Sequence, residues 1–287
     1  MTFRLDRVGS LWLALPLVRC ISEHGAGIPI LMYHSIAEED ESQVHPYYRT
    51  ATSPPSFASQ MEYLHTAGYT ACSPADARSI AGSSAMSVGK LVALTFDDGY
   101  QNVYREAFPV LQRFNFTASI FLSTAYIGNT TLEFKGRSCL NWSEVREMRK
   151  YGITFGSHTV THRQLSSLSR SEVRRELVQS KRVIEQEISA SVDSFAYPYA
   201  FPHADSAFLA MLQDLLQEVG YINGVCTIIG RVGPRSDPLF LPRLPVNDAD
   251  DPDLFQAKLA GAYDWVGWAQ RALKGIKSAV KTESHPH

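Results

Sequence analysis

Short apolar runs alternate along the chain with longer stretches whose apolar residues recur every third or fourth position. Runs at 28–34, 69–72, 91–94, 117–122, 153–155, 192–197, 222–228 and 239–243 have the length and content of buried strands. Between them the spacing predicts helices over 54–67, 74–80, 103–114, 142–151 and 204–219. A further long helix opens at Ser169-Arg170-Ser171-Glu172, a capping box, and carries Val173, Leu177, Ile184 and Ile188 along one stripe. Gly68 and Gly152 stand where two of the helices stop. Residues 38–53 and 125–140 read as loops, and 81–89 as a surface linker.

Strand and helix alternate about seven times without a break in composition, which predicts parallel βαβ units. A barrel and an open doubly wound α/β sheet both satisfy that alternation. The chemistry-bearing residues decide between them. His34, Asp97 with Asp98, His158, and Pro198 with Tyr199 all follow different strands. Several strand ends converging on one mouth favour a distorted (β/α) barrel of about seven strands, TIM-like and in a single domain. The expected division is an apolar N-terminal segment over 1–27, the barrel over 28–250, and a C-terminal helical extension with a loose tail over 251–287.

Composition adds exclusions. A net charge of −2 over 287 residues gives no footprint for nucleic acid. The four cysteines are scattered and form neither a disulfide framework nor a zinc knuckle. Arg4 and Arg7 precede an apolar run at 8–18 that resembles a secretory signal, but Pro16 interrupts it and no small-x-small cleavage site follows. The expectation is an uncleaved segment on a monomer that is cytoplasmic or membrane-associated rather than secreted. At 263–281, Trp265, Trp268, Ala272, Leu273, Ile276 and Val280 share a helical face, beside Arg271, Lys274, Lys277 and Lys281. Packing on the barrel is the preferred reading of this stretch, with peripheral membrane contact as the alternative.

Thr95-Phe96-Asp97-Asp98-Gly99-Tyr100 closes a buried strand with two adjacent carboxylates. Such a pair is costly unless something neutralises one member, and a metal ion does so while leaving the other beside coordinated water. Gly156-Ser157-His158-Thr159-Val160-Thr161-His162 places two imidazoles four residues apart, which on a helical turn share a face. Two imidazoles and one carboxylate make a three-ligand set with positions open for water.

These segments, with Phe195-Ala196-Tyr197-Pro198-Tyr199, resemble the first three motifs of the polysaccharide deacetylases, carbohydrate esterase family 4. Leu31-Met32-Tyr33-His34 and the segment at 140–148 also resemble its bacterial members. The resemblance implies metal-dependent removal of acetyl groups from N-acetylated sugars in a polysaccharide or glycan, with Zn2+ the expected divalent metal. It implies Asp97 as general base and Asp98, His158 and His162 as metal ligands. It further implies the Tyr199 N–H as an oxyanion donor, after a turn fixed by Pro198, with Tyr100 close to the substrate.

The sequence departs from the family at two points. The late Leu-x-His motif that supplies the general acid is missing, and Ala196 stands where an Arg is frequent. His34 is the substitute acid, and Arg243, between Pro242 and Pro245, is the substitute partner that keeps Asp97 ionised. An O-acetyl esterase, a small-amide hydrolase and a weakly active glycan-binding barrel are the competing functional readings.

Overall fold

A computed structural model describes residues 4–21, 27–83 and 90–272. Eight parallel strands carry the architecture: β1 (Ile30–Tyr33), β2 (Tyr69–Cys72), β3 (Lys90–Phe96), β4 (Ser119–Leu122), β5 (Thr154–Ser157), β6 (Ser194–Ala196), β7 (Asn223–Ile229) and β8 (Leu241–Pro245). Seven of them close in the order β1-β8-β7-β6-β5-β4-β3, because β3 also pairs with β1. The closing register sets Ile30 against Ala93 and Tyr33 against Phe96. β2 lies outside the ring and pairs with the first half of β3, Tyr69 against Lys90 through Cys72 against Ala93.

Alternation along each strand divides the apolar residues into two cores. Ile30, Ala93, Phe121, Ala196, Val225 and Leu241 cluster in the barrel lumen. Their neighbours Leu31, Leu94, Ile120, Leu122, Phe195 and Leu244 belong to the larger core beneath the helices. Two residues beyond the lumen cluster on their strands come Thr95 and Arg243, both buried. The lumen thus turns from apolar to polar as it approaches the carboxyl ends of the strands.

The helices are α1 (Pro54–Thr66), α2 (Pro74–Ala81), α3 (Phe108–Arg113), α4 (Trp142–Lys150), α5 (Arg170–Ile188), α6 (Ser206–Val219) and α7 (Pro252–Ala260). The capping box expected at Ser169 is formed, and Asn141 with Glu144 and Ser73 with Asp76 make two more. The helix expected over 103–114 is divided: Val103–Ala107 is a wide π turn ahead of α3. Pro109 has no N–H to donate back along an α-helix, and the wider turn accommodates that loss. Residues 125–140 hold more order than a loop, with a two-stranded hairpin of Glu133–Phe134 and Arg137–Ser138. Its turn residues Lys135 and Gly136 have φ of 52° and 77°.

Residues 5–21 are helical and residues 264–272 form a further helix. All four cysteines are free. The linker residues 84–89, and the 273–281 portion of the basic C-terminal stretch with the tail after it, lie outside the described residues.

Candidate metal-dependent active site

β3 ends where the chain must turn across the barrel mouth. Asp98 and Gly99 both take left-handed backbone, φ 70° and 71°. A Cβ on Gly99 would lie 2.8 Å from the Leu122 side chain, so glycine answers both the conformation and the space. Asp98 carries the strain of a non-glycine residue in that region.

Asp98, His158 and His162 are buried and offer one ligand atom each, all within 4.8 Å of one another. Asp98 Oδ1 lies 3.1 Å from His162 Nε2 and 3.5 Å from His158 Nε2, yet has no hydrogen-bond partner. His158 Nδ1 is 2.8 Å from the Ala196 carbonyl, to which it donates as Nδ1–H. That leaves the Nε2 lone pair facing Asp98. Burial pushes the His158 pKa down to about 4, against the opposing pull of Asp97, so the ring is neutral near pH 7. An orphaned carboxylate oxygen and a neutral imidazole with a free lone pair, beside a second ring nitrogen, are what a divalent cation would satisfy. The donor set fits the group.

The His158–His162 segment is not a helical turn, contrary to the expectation from its spacing. Thr159 and His162 have φ of 71° and 54°, which break any helix. Glu176, on α5, shapes the loop instead. Its carboxylate accepts from Val160 N at 2.7 Å, Thr161 N at 2.9 Å and Thr161 Oγ1 at 2.7 Å. The Thr159 hydroxyl accepts from His162 N at 3.0 Å. The two rings end with centroids 4.8 Å apart. Sequence reading missed Glu176, although a charged residue between Val173 and Leu177 on an apolar stripe was the available signal.

Asp97 stays outside the ligand set. Arg243, fully buried on β8, donates Nη1 to Asp97 Oδ1 and Nη2 to Oδ2, both at 2.7 Å. It also donates to Cys226 O at 3.1 Å and Thr95 Oγ1 at 3.2 Å. Burial alone would raise the Asp97 pKa, but the Arg243 charge and hydrogen bonds more than offset it and hold the carboxyl below its ordinary value. His34, partly exposed at the end of β1, places Nε2 3.9 Å from Asp97 Oδ2. Burial depresses its pKa against the pull of Asp97 and Asp98.

Tyr199 has φ 61° and is 48% exposed, with its ring 4.6 Å from that of His162. Its N–H has no partner among the described residues. Pro198 before it is buried. Tyr100 is buried, its ring stacked 6.3 Å from Phe134 and its hydroxyl without a hydrogen-bond partner. Phe134 also meets the His162 ring at 5.1 Å and Tyr126 at 4.3 Å, and Lys135 Nζ sits 5.2 Å from the Tyr199 ring. The hairpin at 133–138 therefore walls one side of the Asp98, His158 and His162 cluster.

The sequence pattern of the polysaccharide deacetylase family matches residues 86–219, which include both carboxylates and both histidines. That stretch, just under half of the chain, is a polysaccharide deacetylase domain by its sequence pattern. Among its relatives, the Bacillus subtilis (strain 168) protein YxkH, grouped by name with these deacetylases, is 29% identical over 206 residues, 72% of this chain and 66% of its own. The poly-β-1,6-N-acetyl-D-glucosamine N-deacetylase of Staphylococcus aureus (strain MRSA252) is 24% identical over 166 residues, 55% of this chain and 54% of its own. The match thus spans about two thirds of one relative and about half of the other. IcaB from Ammonifex degensii superposes with a TM-score of 0.67 at 25% identity, covering 83% of this chain and 97% of that one. The Streptococcus pyogenes deacetylase PplD shares the fold, with a TM-score of 0.69 at 24% identity, over 81% of this chain and 98% of that one. The family pattern begins after His34 and ends before Arg243, so the two groups flanking Asp97, both expected from the sequence, lie outside it.

Proposed function

We propose that this chain is a metal-dependent N-deacetylase acting on an N-acetylhexosamine-containing glycan, with Zn2+ as its metal. One observation carries the reading. Two adjacent carboxylates are given opposite environments: Asp98 is turned into a buried pair of imidazoles, while Asp97 is withheld and kept ionised by Arg243. A site that only binds sugar gains nothing from a buried, ionised, unligated carboxylate.

Two imidazole nitrogens and a carboxylate oxygen, with open positions, suit Zn2+. When bound, the ion supplies Lewis-acid polarisation of the acetamide carbonyl and of water. Asp97 accepts the proton released as water adds to that carbonyl. The free N–H of Tyr199 donates to the developing oxyanion. His34 passes the proton to the departing amine. Its depressed pKa leaves it neutral beforehand, so it takes that proton from Asp97, its neighbour at 3.9 Å. Tyr199, Tyr126 and the Lys135 turn offer a face on which a pyranose ring can stack.

The test is acetate release from poly-β-1,6-N-acetylglucosamine, chitooligosaccharides and peptidoglycan, with Zn2+ and with chelator. Zinc-restored release from one of these is expected. Release only from O-acetylated glycans would reassign the site to an esterase. Bound zinc with no release from any acetylated substrate would reduce the chain to a binding barrel.

A further inference from the structure

The helical segment over 5–21 is amphipathic in the unusual sense. Its described charged and hydroxyl groups near the N-terminal end face the protein. Arg4 donates to Ala249 O at 2.5 Å and to Asp250 at 3.3 Å, and Arg7 pairs with Asp251. Asp6 accepts from the Tyr263 hydroxyl at 2.7 Å, and Ser10 Oγ from Trp265 Nε1 at 3.1 Å. Every exposed side chain described between 4 and 20 is uncharged: Leu5, Trp12, Leu13, Pro16, Leu17 and Cys20. Leu5, Trp12, Leu13 and Leu17 are 72%, 74%, 69% and 60% exposed. A surface helix of a globular protein ordinarily presents the opposite pattern.

The patch continues onto the C-terminal helix. Trp265 packs on Gly9 and Ser10, and Trp268, one turn further on the same face, is 76% exposed. Arg271 follows after another turn and is exposed. Beyond it the sequence carries Lys274, Lys277 and Lys281 before its first acid, Glu283. Asp253, an exposed acid beside the segment, lies 3.9 Å from Arg7, which also pairs with Asp251.

We propose that this face seats the protein on the headgroup region of an anionic lipid bilayer, with Trp12, Leu13, Leu17 and Trp268 entering the interface. Large apolar side chains with tryptophans at the polar boundary and adjacent cationic charge are the pattern of interfacial helices. No described helix is long and apolar enough to cross a membrane. A second copy of the chain is the weaker occupant, because two-fold pairing would bring like charges around Arg271 together, whereas anionic lipid neutralises them. The surface shares no residue with the Asp97 site, so the inference stands apart from the catalytic reading.

The experiment is co-sedimentation of the full chain with vesicles of phosphatidylcholine alone and of phosphatidylcholine with phosphatidylglycerol. The parent is expected to partition onto the anionic vesicles. The variant Trp12→Ser/Leu13→Ser/Leu17→Ser is expected to lose at least about tenfold of that partitioning. Arg271→Glu should weaken binding to the anionic vesicles only. Thermal melts check that the variants fold, and quenching of the parent's tryptophans by brominated lipid gives a readout that needs no variant. Negligible binding by the parent, equal binding by parent and triple variant, or absence of quenching overturns the proposal. Parent dimers that the triple variant abolishes, with no vesicle binding, assign the face to a second copy instead.

Discussion

Replacing Arg243 by Leu tests the electrostatic argument without needing a substrate. In the parent, Asp97 is buried and its two oxygens each accept a guanidinium hydrogen bond at 2.7 Å. Removing one partner of such a pair leaves an uncompensated buried charge and costs about 3–5 kcal/mol. The variant has one escape, which is to bind a proton at Asp97. In the parent the folded-state pKa of Asp97 is lowered, so its contribution is present above the unfolded value and fades as pH falls. In Arg243→Leu the folded value lies above the unfolded one, so the defect grows as pH rises. Urea unfolding should therefore show parent and variant converging near pH 4 and separating toward pH 7. Asp97→Asn alone strands the Arg243 charge and should also cost several kcal/mol. The double variant removes both charges and should be more stable than either single one, a coupling of about 2–4 kcal/mol in the cycle. Additive losses, or an Arg243→Leu variant within about 1 kcal/mol of the parent at pH 7, would refute the assignment of this pair as the buried electrostatic centre.

Three further outcomes are expected. The parent is expected to bind stoichiometric zinc by elemental analysis and to gain about 3–4 kcal/mol of stability, read as a rise in melting temperature, at a metal excess of several hundred Kd; His162→Ala should lose both, and retained zinc would move the metal elsewhere. Glu176→Ala strands the donors of Val160 and Thr161 and should cost about 2–3 kcal/mol while weakening zinc affinity about tenfold or more, with Glu176→Gln recovering part of both by calorimetry. In metal-free protein His158 titrates near 4 when folded and near 6.5 when unfolded, so the unfolded chain binds more protons between these values. Stability should fall by roughly 3 kcal/mol as pH drops from 7 to 4, an effect that zinc suppresses and His158→Gln removes.

What the sequence made legible follows from what local pattern can encode. Strand positions were marked by apolar runs, and their ends moved by only a residue or two because lumen and helix-facing residues are both apolar. The candidate metal ligands were marked because Asp98 and the two histidines sit in short contiguous motifs. The backbone that aims them was not. Spacing four residues apart suggested a helical turn, yet a buried glutamate more than a dozen residues downstream holds Val160 and Thr161 between two left-handed residues, Thr159 and His162. Such a loop depends on a contact between α5 and the β5 end, which no local periodicity records. The same holds for the wall at 133–138: polar residues around Gly136 read as a loop, and only the hairpin brings Phe134 to His162.

Barrel closure explains why the surroundings of Asp97 come from the far ends of the chain. β3, which carries the carboxylate pair, has β1 as its neighbour in the ring, and β1 in turn pairs with β8. His34 therefore stands beside Asp97, and Arg243 comes from one strand further round, although the three are separated by 63 and 146 residues in sequence. The proposed metal ligands need only β3 and β5 with the loop after it. The proposed base, Asp97, needs the first and last strands locked together. A perturbation that loosens the β1–β8 seam, such as Leu244→Ala in the core beneath it, should then raise the Asp97 pKa and depress the proposed deacetylation at neutral pH before it releases the proposed zinc. Simultaneous loss of both, or loss of zinc first, would show that the metal cluster and the base are one cooperative unit rather than two.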